Sequence, residues 1–292
     1  MQHNALNVKH IMAVVDPTTD RGSTLRRSFR IAKNYGNIKV TAYLCIYSSY
    51  EVTDRENLIK VEKERHKLWL EHHIGQIDVG DVEYEIVIDW DKDWEEAIGE
   101  AAKRINPDLV VKASHRTGFN PRTGILRRKS KGTKRMRTSD RRLIRSAKCP
   151  VLFVKGPMKD VPRKVLIGMD ITTEEENYKA LDKEVLRYGK DFVAQSPDRE
   201  LHVVHAAENW DKFVHPPDLA KQAGVDRERA HVLEGTPAEV MAAVAEDIGA
   251  NILVLGTLGR KGVAGTRIGN TAERVLERVQ MDTLVLTVPE ET

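Results

Sequence analysis

Cysteine is scarce: Cys45 and Cys149 are the only two in 292 residues. They stand far apart in apolar, strand-like contexts, so no disulfide framework is available. Both read as buried thiols of a reducing compartment. Long hydrophobic runs are absent too. Stretches such as Ile252–Leu255 and Leu284–Leu286 fall far below the roughly 18 consecutive apolar residues of a membrane-spanning helix. The opening Met1-Gln2-His3-Asn4 lacks the basic-then-apolar order of a secretory leader, and a cytoplasmic location is expected. Gly-x-Ser-x-Gly, Cys-x-x-Cys and His-Glu-x-x-His do not occur, and the ten histidines show no metal-ligand spacing. His72-His73 lies on a charged helix and is expected to face solvent. His202 and His205, three apart on a strand, must point to opposite sides. No nucleophile stands at a recognisable spacing from a base, so no catalytic residues are assigned and efficient catalysis is not indicated.

What is present begins with charge. The net charge of +3 hides an asymmetry: residues 1–158 carry 30 Lys and Arg against 20 Asp and Glu, and the remainder 17 against 24. Arg116–Lys148 alone holds 13 basic residues and one acid, Asp140, so the basicity is local.

Apolar runs rich in Val, Ile and Leu alternate with stretches of helical period, the pattern of βαβ units around a parallel sheet. In the first half, strands are expected at His10–Asp16, Lys39–Tyr47, Glu83–Asp89, Leu109–Ala113 and Val151–Val154. Helices are expected at Ser23–Tyr35, Asp54–Ile74 and Asp93–Arg104. Leu58, Val61, Leu68 and Ile74 would form the apolar stripe of the long second helix, and Trp94 would pack between layers. The second half repeats this order with strands at Lys164–Asp170, Glu200–Ala207, Ala230–Leu233, Asn251–Leu255 and Thr283–Val288. Its helices are Glu174–Lys190, Pro237–Ile248 and Asn270–Val279, with Thr236 and Pro237 as N-cap and N1. Ile11-Met-Ala-Val-Val-Asp16 matches Val165-Leu-Ile-Gly-Met-Asp170, and Cys149-Pro-Val-Leu-Phe-Val matches Met281-Asp-Thr-Leu-Val-Leu. An internal duplication follows. It gives one domain over 1–156, with a basic insertion over 116–148, and a second over 163–292, joined through the proline-bearing segment 156–163.

The segment from Gly256 to Glu273 follows an apolar strand and ends at a helix start. Gly256, Gly259 and Gly269 would let backbone N–H groups approach phosphate oxygens without an intervening Cβ. The helix beginning near Asn270 adds free amides and partial positive charge, with Asn270 and Thr271 as donors. The segment has neither the Gly-Lys-Ser/Thr ending of a Walker A loop nor the Gly-x-Gly-x-x-Gly dinucleotide pattern.

Two residues between Gly256 and Gly259, then nine before Gly269, is the spacing by which the chain resembles the ATP-binding branch of the universal stress proteins. The likeness to tandem E-type members runs over nearly the whole length. The family normally places Ser or Thr after the last glycine, where this chain has Asn270. The resemblance implies two Rossmann-like domains of the adenine nucleotide α-hydrolase type, each with five parallel strands in order 3-2-1-4-5 and flanking helices. It places a ligand at the switch point between strands 1 and 4. In the second domain it assigns adenosine contacts to Asp170 and the backbone of Ala206. It assigns phosphate and ribose contacts to Gly256, Gly259, Gly269, Asn270 and Thr271. ATP is the implied ligand, with Mg²⁺ or Mn²⁺ bridging its phosphates. The last strand of each domain would cover the other's edge in an intramolecular pseudo-dimer, and further homo-oligomerisation stays open. The first domain keeps Asp16 but reads Ala113-Ser-His-Arg-Thr-Gly118 and Thr138-Ser139-Asp140 where the loop should be, so its nucleotide site is degenerate. Three functions remain open: a nucleotide-gated binding module of the stress response, a nucleotide-hydrolysing or adenylyl-transferring enzyme, and an interaction protein that nucleotide merely stabilises.

The basic segment is expected to hold an anionic partner through Arg127, Arg128, Lys129, Lys131, Lys134 and Arg135. Exposed charges contribute ~0–1 kcal/mol per pair to folding but attract polyanions strongly at low salt. Replacing all six with serine should leave the melting temperature almost unmoved while retention on heparin drops sharply. A large fall in melting temperature with heparin retention intact would make the segment structural.

Overall fold

The computed structural model describes residues 8–17, 22–49, 53–114, 138–155, 164–259 and 270–289. The chain divides into two compact units, whose described parts lie within residues 8–155 and 164–289.

Unit 1 runs β1 (His10–Val14), α1 (Ser23–Tyr35), β2 (Lys39–Ile46), α2 (Arg55–Ile74), β3 (Tyr84–Trp90), α3 (Trp94–Ile105), β4 (Leu109–Ala113), α4 (Thr138–Ser146) and β5 (Val151–Val154). Its sheet order is β3-β2-β1-β4-β5, all parallel. The central strands are continuous apolar runs because both sheet faces are covered; Ile11, Met12, Ala13, Val110 and Val111 have no exposed surface. Two of these helices begin at a carboxylate: at α2 Asp54 accepts from the Asn57 N–H at 2.9 Å and at α3 Asp93 accepts from the Glu96 N–H at 3.1 Å, each satisfying an amide that lacks an intrahelical partner.

Three expectations for unit 1 need correction. On α2 the buried residues are Leu70 and Ile74, while Val61 and Leu68 are exposed. The stripe is offset because the half-buried His66 and His73 share the side of Leu70 and Ile74. Trp94 begins α3 at the surface and does not pack between layers. Inside the basic segment, α4 is a helix of the fold proper, with Leu143 and Ile144 buried. The thiols are partly buried, and burial pushes Cys45 up to about 11 and Cys149 up to about 12. Neither is an activated nucleophile.

Unit 2 runs β6 (Lys164–Gly168), α5 (Glu176–Val193), β7 (Glu200–Ala207), α6 (Pro216–Ala223), β8 (Ala230–Glu234), α7 (Pro237–Asp247), β9 (Ile252–Gly259), α8 (Asn270–Arg278) and β10 (Asp282–Pro289). Its order is β8-β7-β6-β9-β10, again all parallel. Counted along each unit, both sheets follow the expected order 3-2-1-4-5. A 3₁₀ turn at Trp210–Lys212 and the short α6 replace the long helix α2 of unit 1. The strand β9 runs four residues past its expected end, so Gly256 and Gly259 lie in the sheet and not in a loop.

Candidate functional site

The two central strands of unit 2 have unequal lengths, and that mismatch makes the site. β6 pairs with β9 only through Val165–Ile167 against Ile252–Val254. β10 stays paired with β9 as far as Gly259. From Leu255 onward β9 has left the ladder with β6, and its edge on that side opens onto a crevice at the strands' carboxyl ends. This is where open α/β sheets bind ligands.

A cavity of about 370 Å³ occupies the crevice, and Asp170, Ala206, Gly256 and Thr271 all line it. Four residues spread over a hundred positions of sequence therefore meet at one place. Gly259 stands three residues further along β9, and Asn270 is the first residue of α8. Gly269 and the six basic residues of 127–135 lie outside the described residues.

Asp170 lies two residues past the end of β6. Its Oδ1 accepts from the Thr172 N–H at 3.2 Å and from Thr172 Oγ1 at 2.7 Å, forming a side-chain turn. Lys212 Nζ lies 3.9 Å from Oδ2 and His205 Nδ1 4.0 Å from Oδ1. The carboxylate is thus positioned but half-exposed to the cavity. His205 is buried, with Nδ1 3.2 Å from the Met169 carbonyl and Nε2 2.8 Å from the Lys212 carbonyl. It ties the end of β6 to the turn that bears Lys212. His202 points to the other face as expected, its Nδ1 3.1 Å from His231 Nε2; burial holds both of those imidazoles below the ordinary range.

Sequence reasoning missed Asp182. It sits on α5 facing the cavity, and its Oδ2 accepts the Asp170 N–H at 3.0 Å. Burial pushes its carboxyl up to about 7; the Asp170 N–H opposes this and the Asp170 charge adds to it. The available signal was an acid on the sheet-facing side of an amphipathic helix, four residues after Tyr178 and three before Val185.

Gly256 has a second physical reason beside the one its spacing implied. A Cβ there would lie 2.4–2.7 Å from three carbons of Leu181, so the glycine lets α5 pack directly on β9. The cavity wall formed by Asp170, Asp182, Glu175 and Glu208 accepts hydrogen bonds, relieved by Lys212. At the far end, the first turn of α8 presents N–H groups with partial positive charge. One end suits hydroxyl and amino donors, the other an anion.

Two parallel five-stranded units of one order, with a switch-point crevice, define a tandem Rossmann-like protein. The chain belongs to the universal stress protein family: the pattern described as Universal stress protein family matches residues 7–155 and 212–287. The second match begins past β6 and β7, so the placing of Asp170 and Ala206 rests on the repeat and the geometry. The chain is similar to the universal stress protein E homolog of Haemophilus influenzae, 26% identical over 312 residues, covering 96% of this chain and 97% of that one. Universal stress protein E of Escherichia coli K12 is 26% identical over 313 residues, covering 95% and 93%. Among solved structures, a functionally unknown protein of Pseudomonas aeruginosa shares the fold with a TM-score of 0.69 at 21% identity, covering 97% and 94%. A universal stress protein of Archaeoglobus fulgidus does so at 0.68 and 19%, covering 95% and 96%. No helix among the described residues is long and apolar enough to cross a membrane.

Proposed function

We propose that unit 2 binds one adenine nucleotide, ATP, and that the chain acts as a nucleotide-gated binding module of the cytoplasmic stress response. The observation behind this reading is the meeting of Asp170, Ala206, Gly256 and Thr271 on one cavity. The residues fit the ligand's two chemistries. The Asp170 carboxylate and the Ala206 backbone accept from the nucleoside, while Asn270 and Thr271, with Gly256, Gly259 and Gly269, receive the phosphates and ribose. Among the described residues no group of three or more His, Cys, Asp or Glu is arranged to hold a metal. Mg²⁺ or Mn²⁺ would therefore arrive with the phosphates. Among the described side chains on the cavity no nucleophile is paired with a base, so hydrolysis, where measured, should be slow. Isothermal titration with ATP should give one site per chain, and Gly269→Val should weaken it twofold or more, because a branched Cβ bars backbone approach to phosphate. Two sites of equal affinity, or a mutant that binds like the wild type, would defeat this reading.

A further inference from the structure

The two units correspond residue by residue along their central strands. Ile11 of β1 pairs with Leu109, and Val165 of β6, its partner in the repeat, pairs with Ile252. Lys112 therefore corresponds to Leu255 and Ala113 to Gly256. The match of Cys149 with Met281 aligns the first residues of α4 and α8, Thr138 with Asn270, and so Asp140 with Ala272. Leu255 and Ala272 both line the cavity of unit 2. Their counterparts in unit 1 are charged and joined: Lys112 Nζ lies 2.5 Å from Asp140 Oδ1, with side-chain exposures of 5% and 2%. Ser114 Oγ donates to the other carboxylate oxygen at 3.4 Å.

Stability alone is a weak reason for such a pair, since desolvating two charges offsets most of their attraction. Position is a better one. The pair spans β4 and α4, the counterparts of the two elements that bound the unit 2 cavity beside Asp170. The one acid of the basic segment is thus turned inward.

We infer that the Lys112–Asp140 ion pair holds in unit 1 the place that Leu255 and Ala272 of the cavity wall hold in unit 2, and that it confines ligand binding to unit 2. The inference rests on the nucleotide reading of unit 2. In this arrangement unit 1 is bridged permanently from strand to helix, and unit 2 only when ligand is bound.

The test exchanges these residues between the units and uses adenosine as the probe, because unit 1 lacks the glycine loop that would receive phosphates. Lys112→Leu alone leaves a buried carboxylate unpaired and should lower the melting temperature by roughly 10 °C. K112L/D140A, which copies unit 2, should melt within a few degrees of the wild type and raise adenosine stoichiometry from one to two. The reciprocal L255K/A272D should stay folded and lose adenosine affinity by ~100-fold or more. A folded K112L/D140A that still binds one adenosine, or an L255K/A272D that binds normally, overturns the inference and leaves unit 2's site standing. A wild-type chain that binds no adenosine overturns the reading of unit 2 and this inference with it.

Discussion

Gly256→Ala is expected to destabilise unit 2 by about 1–3 kcal/mol, although it adds only a methyl group and changes no charge. The added carbon would fall 2.4–2.7 Å from Leu181 Cγ, Cδ1 and Cδ2. Leu181 is itself buried, and its closest atom to the new methyl is Cγ, one bond from Cβ, which cannot clear it as the tip of a long side chain would. Either α5 lifts from β9 or Leu181 leaves its rotamer, and both cost energy in a close-packed interior. Since α5 also brings Asp182 to the cavity, the displacement should weaken nucleotide binding together with stability. The melting temperature of unit 2 should fall by several degrees. The control is the pair G256A/L181A. Leu181→Ala alone leaves a cavity, G256A alone overfills one, and together they should be less harmful than the sum of the two. Additive losses would mean that Gly256 does not act through Leu181. A glycine kept only for phosphate approach would instead show weakened binding with an unchanged melting temperature.

The same residue shows how far the sequence could be read. The repeat and the alternation of strand and helix were legible because they depend on apolar periodicity, while Asp170, Ala206, Gly256 and Thr271, which line one cavity, were named through the family resemblance. The extension of β9 through Gly259 was not legible, because two glycines in six residues lower strand propensity and only pairing with β10 sustains the strand. Helix α4 was hidden by its Arg-rich face, although its counterpart α8 in the second repeat was recognised. Four of its nine residues are charged, and it is held by the buried Leu143 and Ile144. The stripe of α2 failed for a related reason. His66 and His73 are half-buried, each with Nδ1 2.8 Å from a carbonyl of its own helix, Glu62 and Trp69, so polar residues share the partly buried side of α2 with Leu70 and Ile74. Asp182 and Lys112 are harder still. Each is an ionisable residue placed inside by its element, and no single-residue scale anticipates a charge whose partner lies 12 or 28 positions away.

Asp182→Asn is expected to stabilise unit 2 at pH 8 while changing it much less at pH 5. The folded carboxyl is pushed up to about 7 by burial, against about 3.9 in an unfolded chain. For an acid raised in this way the folded state holds the extra proton between those two values. The group's favourable contribution is complete below about pH 4 and is lost as pH rises towards 7. Each pH unit in that window is worth about 1.36 kcal/mol, so by pH 8 the wild type has given up as much as about 4 kcal/mol. An asparagine keeps a carbonyl oxygen to accept the Asp170 N–H and cannot ionise, so its unit 2 does not follow this slope. The gap in melting temperature between variant and wild type should therefore widen by several degrees from pH 5 to pH 8. Binding should follow the same curve, because an ionised Asp182 adds a second charge beside Asp170 on a wall that already bears Glu175 and Glu208 and has Lys212 to offset them. ATP affinity of the wild type should fall between pH 6 and pH 8, and that of D182N should stay nearly flat. Asp170→Asn supplies the contrast: removing the neighbouring charge should move the wild-type transition to lower pH without abolishing it. Melting curves of wild type and D182N that run parallel across pH 5–8 would show that Asp182 is already ionised in the folded chain, and the cavity would then be more open to water than its burial implies.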